Sequence, residues 1–190
     1  ETVLDNSPYQ ARVIRDHTVY KESTWDAWCR EEIAKPLPGA LAFTQFAAAH
    51  GIAVIYISNR IKDLDTATLA NLRKVGFPVA SDDMLLGLGT VVPGCTQKGS
   101  GKGCRRKLIA KHYRVLMQFG DALGDFVNIS TNSHAGRAAA MAPYLDWIGE
   151  RWFVLPNPTY GSWEAATFGN DWSLPAATRH ARKIQSLHFN

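Results

Sequence analysis

Apolar residues along this chain follow two periods. Some short runs are apolar at nearly every position, and between them lie segments where apolar residues recur every three or four. "IAVIYIS" (residues 52–58) is unbroken and β-branched, the mark of a strand buried on both faces. "RVLMQFGD" (114–121) reads the same way, and "RWFVLPN" (151–157) is a third strand, stopped by Pro156. Among the helical segments, "STWDAWCREEIAK" (23–35) offers Ser23 or Thr24 as a cap and stops before Pro36. "GALAFTQFAAAHG" (39–51) puts Phe43, Phe46 and Ala47 on one face and ends at Gly51. "DTATLANLRKVGF" (65–77) aligns Leu69, Leu72 and Val75 in a stripe closed by Gly76, and "CRRKLIAKHY" (104–113) is a short helix before the second strand. A basic helix from Ala176 to about Leu187 ends the chain.

Strands alternating with helices predict an α/β fold, a Rossmann-like parallel sheet with helices on both faces. Such sheets bind ligands just beyond the carboxyl ends of their strands. The first strand delivers Ser58, Asn59 and Arg60 to that edge, a hydroxyl, an amide and a guanidinium suited to an anion. The second delivers Asp121, with Asp125 about one helical turn behind it. Each residue also has a plainer reading, since polar residues after strands often serve as turns and caps.

The 190 residues suggest one domain, and the 46% hydrophobic and 20% charged content is ordinary for a globular protein. The net charge of +4 is spread out. Its densest clusters, Arg105-Arg106-Lys107 and Arg179 to Lys183, read as solvated helix faces rather than a nucleic-acid stripe. No apolar run approaches the roughly 18 residues of a membrane span. The six histidines are scattered without metal spacing and read as surface or helix-end residues; "NIS" at Asn128 matches a glycosylation sequon. Three cysteines rule out a complete disulfide framework within one chain. Cys95 and Cys104 bracket a glycine-rich loop and either pair in an oxidising compartment or stay reduced.

That loop, "GLGTVVPGCTQKGSGKGCRRK" (87–107), is long enough to expect function or mobility. Its "GSGKG" is not a P-loop: counting back from Lys102 the required first glycine is Thr96, and Gly103 stands where Ser or Thr is needed. Lys102 instead stands just before a helix.

The segments "ETVLDNSPY", "YISNR", Lys102 with Arg105, "GDALGDF" and "LPNPTYGSWE" occur in that order. Together they resemble the class C (lipoprotein-type) acid phosphatases and 5′-nucleotidases of the haloacid dehalogenase superfamily, subfamily IIIB, over most of the chain. The resemblance implies an Mg²⁺-dependent phosphomonoesterase acting on 5′-nucleotides through an aspartyl-phosphate. Its first motif, Asp-x-Asp-Glu-Thr, carries the nucleophile and the acid/base. Glu1 and Thr2 match the end of that motif, so both aspartates and the central first strand are expected just upstream, in residues missing from this sequence. The competing view is a catalytically inactive storage or binding relative.

By the same resemblance Ser58 holds a phosphoryl oxygen and Lys102 offsets phosphoryl charge. Asn59 and Arg60 follow the substrate-binding pattern, Asp121 is the magnesium ligand and Asp125 stands behind it. Residues of about 10–36 form a small helical cap within a single domain spanning 1–190. Tyr160, then Tyr9 and Trp25, are candidates to stack on a nucleobase, whereas Glu164 reads as a structural first-turn carboxylate. The expected partners are small phosphate monoesters, above all nucleoside 5′-monophosphates, with no nucleic acid. The resemblance also points to a bacterial envelope location, in the periplasm or outer membrane, attachment through an absent N-terminal lipid anchor, and a homodimer. A third reading, from another class, is a basic binding module.

Overall fold

Parallel strand pairs organise the chain, whose structure is a computed structural model describing residues 1–187. It folds as two units, Glu1–Arg114 and Val115–Asn190, with one parallel pair in each. Helices alternate with these strands, so the fold is α/β as expected.

In the first unit β1 (Leu4–Asp5) pairs antiparallel with β2 (Lys35–Pro36). Between them lie α1 (Ser7–Arg15), which starts on the Ser7-Pro8 pair favoured in a first turn, and α2 (Glu22–Arg30). The α2 helix starts earlier than expected: Lys21 caps it, and the Thr24 hydroxyl donates back to the Lys21 carbonyl. It also ends earlier, at Arg30, because Glu32 takes a positive φ of 54°. Next come α3 (Ala40–Ala49), β3 (Tyr56–Ile61), α4 (Asp65–Lys74), β4 (Leu85–Leu88) and α5 (Gly103–His112).

Two expectations in this unit fail. Phe43 and Phe46 of α3 are 43% and 61% exposed; of the expected face only Ala47 is buried, and Thr44 faces inward beside it. Thr44 satisfies its hydroxyl on the Ala40 and Leu41 carbonyls, so it buries like a small apolar residue. The first strand is also displaced. The Ile52 amide is used to close α3 on the Ala47 carbonyl, and pairing begins only at Tyr56. Within β3 only Tyr56 and Arg60 are buried, so this strand is not covered on both faces. Its partner β4 has no counterpart among the predicted strands.

The core of this unit joins Leu4, Tyr9, Trp28 and Cys29 to Tyr56, Leu64, Leu69, Leu72, Phe77 and Leu85. The α4 stripe is therefore as expected, with Gly76 at φ 90° terminating the helix. The two helices expected as a cap share one core with β3, α4 and β4. Buried Asn71 seals the β2 approach by exchanging both hydrogen bonds with the Ala34 backbone, at 2.9 and 3.2 Å.

In the second unit β5 (Gln118–Gly120) pairs in parallel with β6 (Trp152–Val154). This strand is shorter than expected: Val115, Leu116 and Met117 precede it and are 45–51% exposed. Its core gathers Phe126, Val127, Met141 and Trp152. An unforeseen helix α6 (His134–Met141) starts on Ser133, whose side chain accepts from the Gly136 amide. Short α7 (Ser162–Ala166) and α8 (Ala176–Gln185) follow, the latter ending two residues earlier than expected. Glu164 is a first-turn carboxylate of α7, as expected, and pairs with Lys183 at 2.8 Å. His17, His50, His112, His134 and His180 are exposed, and His188 lies outside the described residues.

Candidate active site

A bulge presents the polar end of β3. Ile57 pairs with Leu86 and Ile61 with Leu88, so Ser58, Asn59 and Arg60 together oppose the single residue Gly87. Bulges bend a strand and re-aim its side chains. Gly87 makes room here: a Cβ would stand 3.2 Å from the Arg60 carbonyl and 3.1 Å from the Asp65 carboxyl carbon, so a larger residue would have to push the Asp65 side chain aside. Ser58 is half-buried, and its Oγ accepts from the Arg60 amide at 3.1 Å. That leaves the hydroxyl proton as the donor of this group. Asn59 is exposed. Arg60 is buried, with its guanidinium on Asn6 Oδ1 at 3.0 Å and Thr68 Oγ1 at 3.4 Å and over the Trp25 ring.

The bulge is held from within by Arg105. Read from sequence as part of a solvated basic cluster, this residue is 0% exposed. Its guanidinium donates to the Ser58 carbonyl, to Asn59 Oδ1 at 2.8 Å, and to the Leu86 and Gly101 carbonyls at 3.2 Å. One side chain thus ties β3, β4 and the loop before α5. Lys102 is the residue that caps α5, half-buried, between the Gly101 carbonyl held by Arg105 and the Cys95–Cys104 disulfide. The disulfide resolves the choice left open by sequence and fastens the glycine-rich loop to the first turn of α5.

In the second unit two carboxylates follow an apolar strand, each with its own setting. Asp121 follows β5 directly, and Asp125 closes a one-turn helix by accepting the Ala122 amide at 3.0 Å. A Cβ on Gly120 would stand 2.5 Å from the Asp125 Cβ and Oδ2, so only glycine lets the second carboxylate fold back under the strand end. Asp125 is buried and committed to this turn. Asp121 is half-buried, and its Oδ2 accepts from Asn157 Nδ2 at 2.9 Å. Asn157 also receives, on its own Oδ1, the Thr159 amide and hydroxyl and the Tyr160 amide. The turn bearing Tyr160 is thereby linked to Asp121.

The aromatic candidates differ in setting. Tyr9 is 2% exposed, its hydroxyl shared with Thr24 at 3.0 Å and its ring edge-on to Trp25. Trp25 is half-buried, and Tyr160 is half-buried on its turn.

Residues 1–163 match the family described as HAD superfamily, subfamily IIIB (acid phosphatase). The chain belongs to this family. It superposes over its whole length on the class C acid phosphatase from Bacillus anthracis, at 31% identity and TM-score 0.85, covering 76% of that chain. The form of that enzyme with tungstate bound gives 32% identity and a TM-score of 0.86, again over 76%. A Stem 31 kDa glycoprotein of Glycine max is 27% identical over 84% of this chain and 56% of its own length. The chain spans about half the length of the curated relatives it matches.

As a subfamily IIIB member, this chain has Ser58, Asn59, Arg60, Lys102, Tyr9 and Trp25 in the first unit and Asp121, Asp125 and Tyr160 in the second. Sequence reasoning overlooked Asn157. The Asn-Pro pair just after a strand was its signal, since an asparagine there accepts from the backbone two residues on. It also overlooked Asn6, whose Oδ1 accepts from Trp28 Nε1 and Arg60 and whose backbone N–H donates to the Glu1 carboxylate. Among the described residues no three of His, Cys, Asp and Glu form a metal cluster. Asp121 offers hard carboxylate oxygen at a strand end. That donor fits a cation of the magnesium type, which takes one or two carboxylates and completes its shell with water and phosphate.

Proposed function

We propose that this chain belongs to an Mg²⁺-dependent acid phosphomonoesterase that hydrolyses 5′-nucleotides and similar monoesters through an aspartyl-phosphate. The observation that carries the reading is Asp121 at the carboxyl end of β5, backed by the Asp125 turn and linked through Asn157 to Tyr160, in a member of an acid phosphatase family. Phosphate monoesters hydrolyse so slowly in water that the protein's task is positioning and charge neutralisation.

Bound Mg²⁺ supplies charge neutralisation at the phosphoryl group, with Asp121 as its ligand and Asp125 shaping the turn that presents it. Ser58 donates its hydroxyl proton to a phosphoryl oxygen, a role favoured by the Arg60 amide already occupying its oxygen. Lys102 offsets the remaining negative charge. Asn59 contributes its amide to the substrate, and Arg60 supports the Trp25 ring from beneath. Tyr160, and more weakly Trp25, stack on the base, a contact tolerant of base identity; Tyr9, at 2% exposed, is closed to a base and instead holds the Trp25 ring edge-on. Residues of about 10–36 serve as the cap of a single haloacid dehalogenase-like domain. The nucleophile and the acid/base of this reading are the two carboxylates of the family's Asp-x-Asp motif. A bacterial envelope location, a lipid anchor and a homodimer are parts of the same reading. No helix among the described residues is long and apolar enough to cross a membrane.

Phosphate release from 5′-AMP by the full-length protein tests this. Turnover abolished by EDTA and restored by Mg²⁺ is expected; metal-independent turnover, or none in a folded protein, overturns it. A second reading, a catalytically inactive storage or binding member, is motivated by the identity to the Glycine max stem glycoproteins. It predicts no turnover with the fold intact.

A further inference from the structure

Asn157 is held in one orientation by everything around it. Its Oδ1 accepts the Thr159 hydroxyl at 2.8 Å, the Thr159 amide at 3.2 Å and the Tyr160 amide at 3.4 Å. Its Nδ2 donates to Asp121 Oδ2 at 2.9 Å. Rotating the amide by half a turn would set an NH₂ against two backbone N–H donors and a carbonyl oxygen against a carboxylate, so the hydrogen bonds fix the assignment. The same turn is closed by Trp163 Nε1, which donates to the Asn157 and Tyr160 carbonyls, both at 3.1 Å. Gly161, at φ 150°, is packed so closely on that indole that a Cβ would stand 2.8 Å from it. Residues 157–163 are therefore one hydrogen-bonded turn. Asn157 links that turn to the carboxylate at the end of β5.

We infer that Asn157 is a positioning residue that couples cation binding at Asp121 to nucleoside binding at the Tyr160 turn. The inference rests on the functional reading above. A cation on Asp121 fixes the carboxylate, which fixes the amide that donates to it, and that amide's oxygen organises the Tyr160 backbone. A base stacked on Tyr160 orders the same chain of bonds from the other end. Whichever ligand binds first bears the ordering entropy, and the second binds more tightly. Linkage makes the effect reciprocal.

Adenosine is the discriminating probe, because it has no phosphate with which to contact the cation. Mg²⁺ affinity of the full-length protein is measured by calorimetry with and without saturating adenosine. Affinity about 5-fold or more tighter with adenosine is expected, the lower end of ordinary coupling. Asn157→Ser keeps a shorter acceptor for the turn and cannot reach Asp121; the ratio is then expected to fall to about one, with melting temperature nearly unchanged. A wild-type ratio of one overturns the inference without any variant. An unchanged ratio in folded Asn157→Ser overturns it while leaving the phosphatase reading standing. Absence of phosphate release from 5′-AMP overturns both.

Discussion

The two parallel strand pairs solve one problem in opposite ways. Each must present polar groups at the end of an apolar strand. The β3–β4 pair does so by breaking its own ladder: three residues oppose Gly87, and a fully buried guanidinium collects the groups that the bulge leaves over. The β5–β6 pair keeps its register to the last residue, Gly120 opposite Val154. Its polar groups are organised afterwards, by a carboxylate folded under a glycine and by an amide from the following turn. The first arrangement concentrates its cost in one internal charge; the second spreads it over partly exposed hydrogen bonds. Damage to the first should therefore appear mainly as lost stability, and damage to the second mainly as lost activity.

The largest expected effect is on activity. Asp121→Asn should lower kcat/KM of the full-length enzyme by roughly 10³-fold or more, about 4 kcal/mol of transition-state stabilisation, with thermal unfolding nearly unchanged. A substantial fall in melting temperature would break the contrast. Arg105→Ala strands the buried Leu86 carbonyl, removes the donor to Ser58 and Asn59, and empties a fully buried side-chain site, and should cost about 3 kcal/mol in urea unfolding. Reducing Cys95–Cys104, which closes a span of 9 residues, should cost about 2–3 kcal/mol and loosen the segment bearing Lys102, read out by hydrogen exchange at Gly101 and Gly103. Gly120→Ala forces Asp125 aside and should cost about 1–3 kcal/mol, with a larger proportional loss of activity than of stability. The smallest effect sharpens the second half of the comparison. Tyr160→Ala should lower kcat/KM for 5′-AMP about 10-fold more than for p-nitrophenyl phosphate; equal losses would make Tyr160 structural.

Legibility in the sequence followed the same division. Periodicity found α4 and the existence of three strands, because those signals arise from burial of Leu69, Leu72, Tyr56 and Trp152. It misplaced the strand starts. The apolar residues 52–55 and 115–117 look like strand, yet hydrogen-bond pairing, which single-residue hydropathy does not encode, begins later. It placed Ala47 of α3 correctly but favoured Phe43 and Phe46 over Thr44, because a threonine bonded to its own helix counts as polar in a pattern and as apolar in a core. Arg105 was hidden by its neighbours, since an Arg-Arg-Lys run reads as solvated and only tertiary packing separates its first member. The carboxylates Asp121 and Asp125 were legible as a spacing. That Gly120 must precede them follows from the 2.5 Å approach.

One consequence concerns the leftover sulfur. Cys29 is 1% exposed, and burial pushes its thiol up to about 11. Exchange with a disulfide requires a thiolate that can reach a sulfur atom. At neutral pH Cys29 is both protonated and enclosed, so an odd number of cysteines need not lead to scrambled partners. The pairing that fastens the Lys102 loop is thereby kinetically insulated from the third cysteine of its own chain until the core around Tyr9 and Trp28 opens.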